Sequence, residues 1–212
     1  MKVIYPKLAL IDLDGTLAGS LNILREAFVE ISKECNFEFS EEEFQSFNGP
    51  SINQISQMLV EKHNLLIDVN LLVDKYQAIL SRIYLNAPIT NGAESFIKNL
   101  KLHGSKIGVV TSNSRFLATA WLEKKNLLHY FDFVVTSDDV TRTKPDPEPY
   151  ILALKIANED SIFAIAIEDS DKGVESAVSA GILTFALNSN YIKTQNSKVI
   201  NVCTFEQILL NL

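Results

Sequence analysis

Apolar residues fall along the chain in two regimes. Between residues 20 and 86 they recur every three or four positions, as in Leu21-Asn22-Ile23-Leu24-Arg25-Glu26-Ala27-Phe28-Val29-Glu30-Ile31, the spacing of a helix with one buried side. Ser20 stands at the N-cap position of this helix. A Ser40/Glu43 capping-box pattern starts a short second helix that Asn48-Gly49-Pro50 stops, and Ser51 caps a third that runs to about Lys62. A fourth spans about 68–85 and ends near Asn86-Ala87-Pro88. No strand is expected in this stretch.

Elsewhere the apolar residues gather into short β-prone runs, at 9–11, 106–111, 133–136, 162–167, 182–187 and 198–202. Helical patterns separate them: 92–103 closed by Gly104 at C′, 114–125, one from Pro147, 172–180 stopped by Gly181, and a last one from Thr204. This alternation predicts an α/β fold, a three-layer, doubly wound and mostly parallel sheet with helices on both faces. The expected division is a core of residues 1–19 and 87–212, with a helical domain of residues 20–86 inserted after the first strand. Ligands of such sheets bind at the carboxyl ends of the strands.

The first strand ends in Asp12-Leu13-Asp14-Gly15-Thr16-Leu17. Two residues apart on an extended chain, both carboxylates leave on the same side. Like charges so close are kept where a cation binds, a proton is shared or chemistry is done. Gly15 lets the backbone turn away while its amide stays accessible to an anion. A calcium loop does not fit, because the acids it needs downstream are missing and Leu17 and Leu21 read as core. The second run ends in Thr111-Ser112-Asn113, where a hydroxyl and two amides can converge on phosphate oxygens; an N-cap at Thr111 is the plainer alternative. In Thr143-Lys144-Pro145-Asp146-Pro147, the first proline holds Lys144 extended, and Asp146-Pro147 reads as N-cap and N1 of a helix. That lysine either neutralises carboxylates and a phosphate or is simply solvated. Ile165-Ala166-Ile167 ends in Glu168-Asp169-Ser170, hard oxygen donors that with Asp12 can hold an octahedral Mg²⁺; for Asp169 and Ser170 the alternative is capping the next helix.

Composition narrows the partners. Of 212 residues, 47% are hydrophobic and 21% charged, which excludes a disordered chain. A net charge of −7 disfavours a grip on nucleic acid or an anionic membrane and suits a divalent cation. No apolar run is long enough to span a membrane, and Pro6 and Lys7 break the N-terminal stretch where a signal peptide would be apolar, so the cytoplasm is expected. Cys35 and Cys203 have no metal-type spacing and are expected to pack in the core.

Taken together, Asp12-Leu13-Asp14-Gly15-Thr16-Leu17, Thr111-Ser112-Asn113, Lys144-Pro145-Asp146-Pro147-Glu148-Pro149 and Glu168-Asp169 resemble, in order and spacing, the four motifs of the haloacid dehalogenase-like phosphohydrolases. Residues 20–86 resemble the small helical cap of the phosphoglycolate-phosphatase and β-phosphoglucomutase-like branch. The resemblance implies Asp12 as nucleophile, Asp14 as general acid and base, and Mg²⁺ held by the Asp12 carboxylate, the Asp14 carbonyl and Asp169, with Glu168 orienting a metal-bound water or ligating directly. It implies that Thr111 and Lys144 take charge on the transferring oxygens, helped by the amides of Leu13–Gly15, Ser112 and Asn113. The expected substrate is a small phosphorylated metabolite, and a monomer is expected. Leu24, Ile52 and Asn53 stand where the branch's sugar phosphomutases carry a His and an Arg for a second phosphate, so hydrolysis is favoured over mutase action. Gly19 departs from the family's usual Asp. A non-catalytic phospholigand-binding protein of the same fold would have lost Asp12, Asp14 or Lys144, and all three are present. Arg115 could reach a substrate anion, although a solvated state is the plainer expectation; Asn22, Arg25 and Lys62 are candidates for selectivity.

Overall fold

Six strands, β1 (Leu8–Ile11), β2 (Lys106–Val110), β3 (Phe133–Val135), β4 (Ala164–Glu168), β5 (Leu183–Leu187) and β6 (Val199–Val202), lie side by side in the order β3-β2-β1-β4-β5-β6. The computed structural model describes residues 5–47, 50–187 and 197–212. Among these residues every strand pairing is parallel, so the mostly parallel sheet expected from the sequence is parallel throughout. The sheet is buried on both faces, as its near-continuous apolar strands require. In β1, Ala9 and Ile11 join one apolar cluster while Leu8 and Leu10 join the other, because successive side chains leave a strand on opposite sides.

Residues 20–86 carry four α-helices, α1 (Leu21–Glu34), α2 (Glu41–Ser46), α3 (Ile52–His63) and α4 (Val69–Ile83), and a 3-10 turn at Tyr84–Asn86, with no strand among the described residues of that stretch. Their apolar sides meet around Phe28, which is fully buried among the rings of Phe37, Phe39, Phe44 and Phe47. Chain entry and exit of this insert are tied together. The Gly19 amide donates to the Pro88 carbonyl at 2.8 Å, and Ala18 bridges to Ile89. The remaining helices are α5 (Ala93–Leu102), α6 (Arg115–Lys124), α7 (Glu148–Ala157), α8 (Asp171–Ser179) and α9 (Phe205–Leu210). Phe96 of α5, Trp121 of α6 and Phe205 of α9 pack on one face of the sheet, and Tyr150 of α7 with Ala177 of α8 on the other. That is the three-layer arrangement expected. None of the described helices is long and apolar enough to cross a membrane.

Several local expectations are corrected. Residues 161–163 form a 3-10 turn in place of the start of β4, since the Asp160 carboxylate accepts the Ile162 amide at 3.1 Å, and Ile162 is 75% exposed. Ser40 caps α2 as expected, but Glu43 does not return the bond; it turns to His63 at 2.9 Å and Lys62 at 3.0 Å. Ser51 forms the full capping box instead, with Gln54. Cys203 is exposed rather than in the core, because it falls in the turn just before α9; Cys35 is partly buried as expected. Helix α7 begins one residue later than the Asp146-Pro147 pattern implied, though Asp146 still accepts the Glu148 amide at 2.9 Å. The helix stop placed on Asn48-Gly49 lies outside the described residues, as do residues 1–4 of the N-terminal stretch.

Candidate active site

Register brings the chemistry to one rim. Ile11 stands level with Val109 of β2 and Ile167 of β4, so the residues that follow each strand emerge together. The ladder runs on past the strands: the Asp12 amide donates to Ile167 O at 3.0 Å and the Thr111 amide to Val135 O at 2.9 Å.

Lys144, on the loop before α7, reaches back into this rim and is buried there. Its Nζ donates to Asp12 Oδ1 at 2.6 Å, Glu168 Oε1 at 2.5 Å and the Val110 carbonyl at 2.9 Å. Tyr150 OH donates to the same Glu168 oxygen at 2.6 Å. Burial pulls the ammonium's pKa down, but the Asp12 and Glu168 carboxylates more than offset that and hold it above an ordinary lysine. Burial also pushes Glu168 up to about 7, helped by the charge of Asp12 and opposed by Lys144 and Tyr150. Asp169 rises well above the carboxylate range, through burial first and then the charges of Asp12 and Glu168.

Negative charge is therefore in excess. Asp12, Glu168 and Asp169 each bring an oxygen within 4.8 Å of the others, and one buried ammonium sits among them. Glu168 Oε2 is buried with no hydrogen-bond partner. Two glycines make room for the acids: a Cβ on Gly15 would lie 2.0 Å from Asp169 Oδ2, and one on Gly173 2.0 Å from Glu168 Oε2. Three clustered carboxylates, hard donors with an orphaned oxygen and a charge deficit, fit a small divalent cation such as Mg²⁺.

Asp14 has a different setting. Its Oδ1 accepts from Tyr84 OH at 2.6 Å and Ser20 Oγ at 2.8 Å, and its Oδ2 accepts from Asn113 Nδ2 at 3.1 Å. The Asn113 amide is fixed the right way round, because its Oδ1 accepts the Ser114 amide at 2.8 Å. Burial raises Asp14 above its ordinary value; the Tyr84 hydroxyl opposes this and the charge of Asp12 adds to it. A cavity of about 360 Å³ opens over the rim. Asp12, Asp14, Thr111, Ser112, Asn113 and Lys144 line one end, and side chains of α1, α2, α3 and α4 the other.

Residues 9–187 match the family described as haloacid dehalogenase-like hydrolase. The chain belongs to that family. It is 31% identical over 187 residues to validoxylamine A 7'-phosphate phosphatase of Streptomyces hygroscopicus subsp. limoneus, a match that covers 87% of each chain. It is 26% identical to fructose-1-phosphate phosphatase YqaB of Escherichia coli K12 over 176 residues, 81% of this chain and 90% of that one. Its fold is similar to β-phosphoglucomutase of Clostridium difficile, with a TM-score of 0.84 at 21% identity over 96% of this chain and 93% of the other. It is an enzyme of the phosphomonoester hydrolase class.

Asp12, Asp14, Thr111, Lys144, Glu168 and Asp169 thus converge as the sequence pattern implied, but some finer assignments do not hold. The Gly15 amide donates to Ala18 O at 2.9 Å, closing the turn on itself, so it is not open to an anion. The Asn113 amide donates to Thr111 Oγ1 at 3.0 Å, and this residue holds Asp14 through its side chain instead. Ser114 caps α6, which removes the plainer reading of Thr111, while Ser170 caps α8 and leaves the Asp169 carboxylate with Thr16 at 3.4 Å. Ser20 occupies the N-cap position of α1 without a capping bond, since its hydroxyl goes to Asp14. Leu21 is not core: it is 43% exposed and faces the cavity. Arg115 is tied to Asp139 at 2.5 Å. Tyr84 and Tyr150 were missed. Each is a tyrosine on an amphipathic helical stretch, indistinguishable in sequence from packing, and only the tertiary fold shows its hydroxyl on a carboxylate.

Proposed function

We propose that this enzyme is a Mg²⁺-dependent phosphatase that hydrolyses a small phosphorylated metabolite through an aspartyl-phosphate on Asp12, with residues 20–86 acting as a cap domain over the site. The supporting observation is the split between the two acids of the first motif. Asp12 faces an ammonium, whereas Asp14 is held by three neutral donors in surroundings that raise its pKa. Environments that push a carboxylate pair apart assign one as nucleophile and the other as acid.

The steps follow from that split. An Asp12 oxygen attacks phosphorus, the bond from phosphorus to the ester oxygen breaks, and Asp14 gives its proton to the departing alkoxide. Asp14, now charged, then takes a proton from water as that water attacks the phosphorus, and inorganic phosphate and free Asp12 result. Oδ1 of Asp14 is anchored by two hydroxyls, so Oδ2, which accepts only from Asn113, is the oxygen that carries the moving proton. Lys144 orients Asp12 and faces charge gathering on the phosphoryl oxygens, and Thr111 lines the same end of the cavity. The Asp12 and Asp169 carboxylates and the Asp14 carbonyl, with Glu168 beside them, would hold Mg²⁺, and the bound ion would supply positive charge between the incoming phosphate and the nucleophile. Glu168 Oε1 already takes two donors, so the unpartnered Oε2 is the oxygen it has left for the metal or for a water on it.

Mutase action is disfavoured because Leu24, Ile52 and Asn53 offer no charge for a second phosphate. A monomer working in the cytoplasm is part of the proposal. The test is hydrolysis of p-nitrophenyl phosphate by the purified chain with Mg²⁺. Asp12→Asn is expected to abolish it, and retention of most activity overturns the assignment of the nucleophile.

A further inference from the structure

The far end of the cavity carries information about the leaving group. Its walls are largely apolar, with Leu21, Leu24, Phe44, Phe47, Ile52 and Ile55 facing the space. Among the described residues only two charged side chains line that end, Arg25 and Glu41, and they are paired with each other at its half-exposed edge: Arg25 Nε donates to Glu41 Oε2 at 2.8 Å. The guanidinium also lies over the Phe39 ring, 4.8 Å from its centroid. The only other cation in the lining, Lys144, belongs to the reaction end and is bonded to two carboxylates. Polar capacity at the far end comes from the side-chain amides of Asn22 and Gln45 and the hydroxyl of Tyr76, which can meet a hydroxyl but cannot balance an anion. At about 360 Å³ the cavity is near the small end of ligand sites, roughly 300–1,000 Å³.

We propose that the substrates are phosphate monoesters of uncharged alcohols with an apolar body about one ring in size, and that the far end rejects esters whose leaving group carries a second anion. This rests on the phosphatase reading above. An anion placed against these apolar walls gives up part of its hydration and meets only a cation already paired with Glu41, whereas an apolar body gains from leaving water. The discrimination is by charge rather than by size.

The experiment compares two esters of equal length and matched leaving-group acidity, hexyl phosphate and 5-carboxypentyl phosphate, with p-nitrophenyl phosphate as a control for turnover. The purified chain with Mg²⁺ is expected to favour hexyl phosphate in kcat/KM by about 100-fold, the scale on which an apolar pocket rejects an added polar group. Gln45→Lys adds a cation at an exposed position of the far wall, where folding is not at risk. It should narrow the ratio about tenfold, mostly through KM for the carboxylated ester. If the two esters are cleaved within threefold of each other, or Gln45→Lys leaves the ratio unchanged, the proposal is overturned while the phosphatase reading stands. If no ester, p-nitrophenyl phosphate included, releases phosphate, the phosphatase reading fails and the proposal falls with it.

Discussion

Three neutral donors hold Asp14, and the removal of one has a readable sign. The Tyr84 hydroxyl favours the charged form of Asp14, against the burial that raises it. Without it the carboxyl keeps its proton to higher pH, so Tyr84→Phe should move the alkaline limb of the kcat/KM profile upward, by about one pH unit at most. A limb that stays put or moves down would contradict the role given to Asp14. Gly15→Ala asks for a Cβ 2.0 Å from Asp169 Oδ2 at a backbone φ of +86°. It should therefore weaken the response of the thermal midpoint to Mg²⁺ as well as lower activity, and an unchanged Mg²⁺ response would separate Asp169 from the metal. At this scale the acids and Lys144 were legible because their types and spacing carry chemistry by themselves. Tyr84 and Ser20 were not, since 70 and six residues separate them from Asp14 and nothing local marks their hydroxyls as bonded to it.

Helix α8 must be slim where it crosses the sheet, and its composition says why. Gly173 lets the Glu168 carboxylate lie against the helix backbone, where an alanine Cβ would fall 2.0 Å from Oε2. Gly173→Ala is expected to destabilise the protein by roughly 1–3 kcal/mol, the usual cost of overpacking, and urea unfolding measures it. A neutral or stabilising result would show that Glu168 has room to move. Most elements were readable from periodicity, and the start of α3 from Ser51, whereas the return bond from Gln54 appears only in the fold. The exceptions have local causes. Ile162 and Phe163 look like the start of a strand, yet the Asp160 cap turns the chain first. Glu43 fits a capping box after Ser40, yet His63 and Lys62 on α3 compete for it. In both cases side-chain bonds outside the hydrophobic pattern decided the outcome.

Across the whole molecule the charge excess makes stability depend on pH and on metal together. Asp14, Glu168 and Asp169 all have raised pKa values, so the folded protein holds protons that the unfolded chain has already lost. Stability without a divalent cation therefore falls as pH rises, from the ordinary carboxyl range near ~4 through the Glu168 value of about 7. A bound cation favours the charged carboxylates and opposes that trend. The rise in thermal midpoint on adding Mg²⁺ should accordingly be larger at pH 8 than at pH 5.5, and equal rises at the two values would argue against a cation among these three acids. The parallel sheet was implied by the alternation of strands and helices, whereas its strand order, the pairing of Arg25 with Glu41 and the apolar far wall appear only in the packed fold.

The covalent step proposed for Asp12 is tested most directly by quenching turnover in acid, digesting the protein and locating the phosphoryl group by mass spectrometry. A phosphoryl increment on the peptide that contains Asp12, absent in Asp12→Asn and discharged when turnover is left to finish, is the expected result. A phosphoryl group on another residue, or steady phosphate release with no labelled peptide at any time, would contradict it.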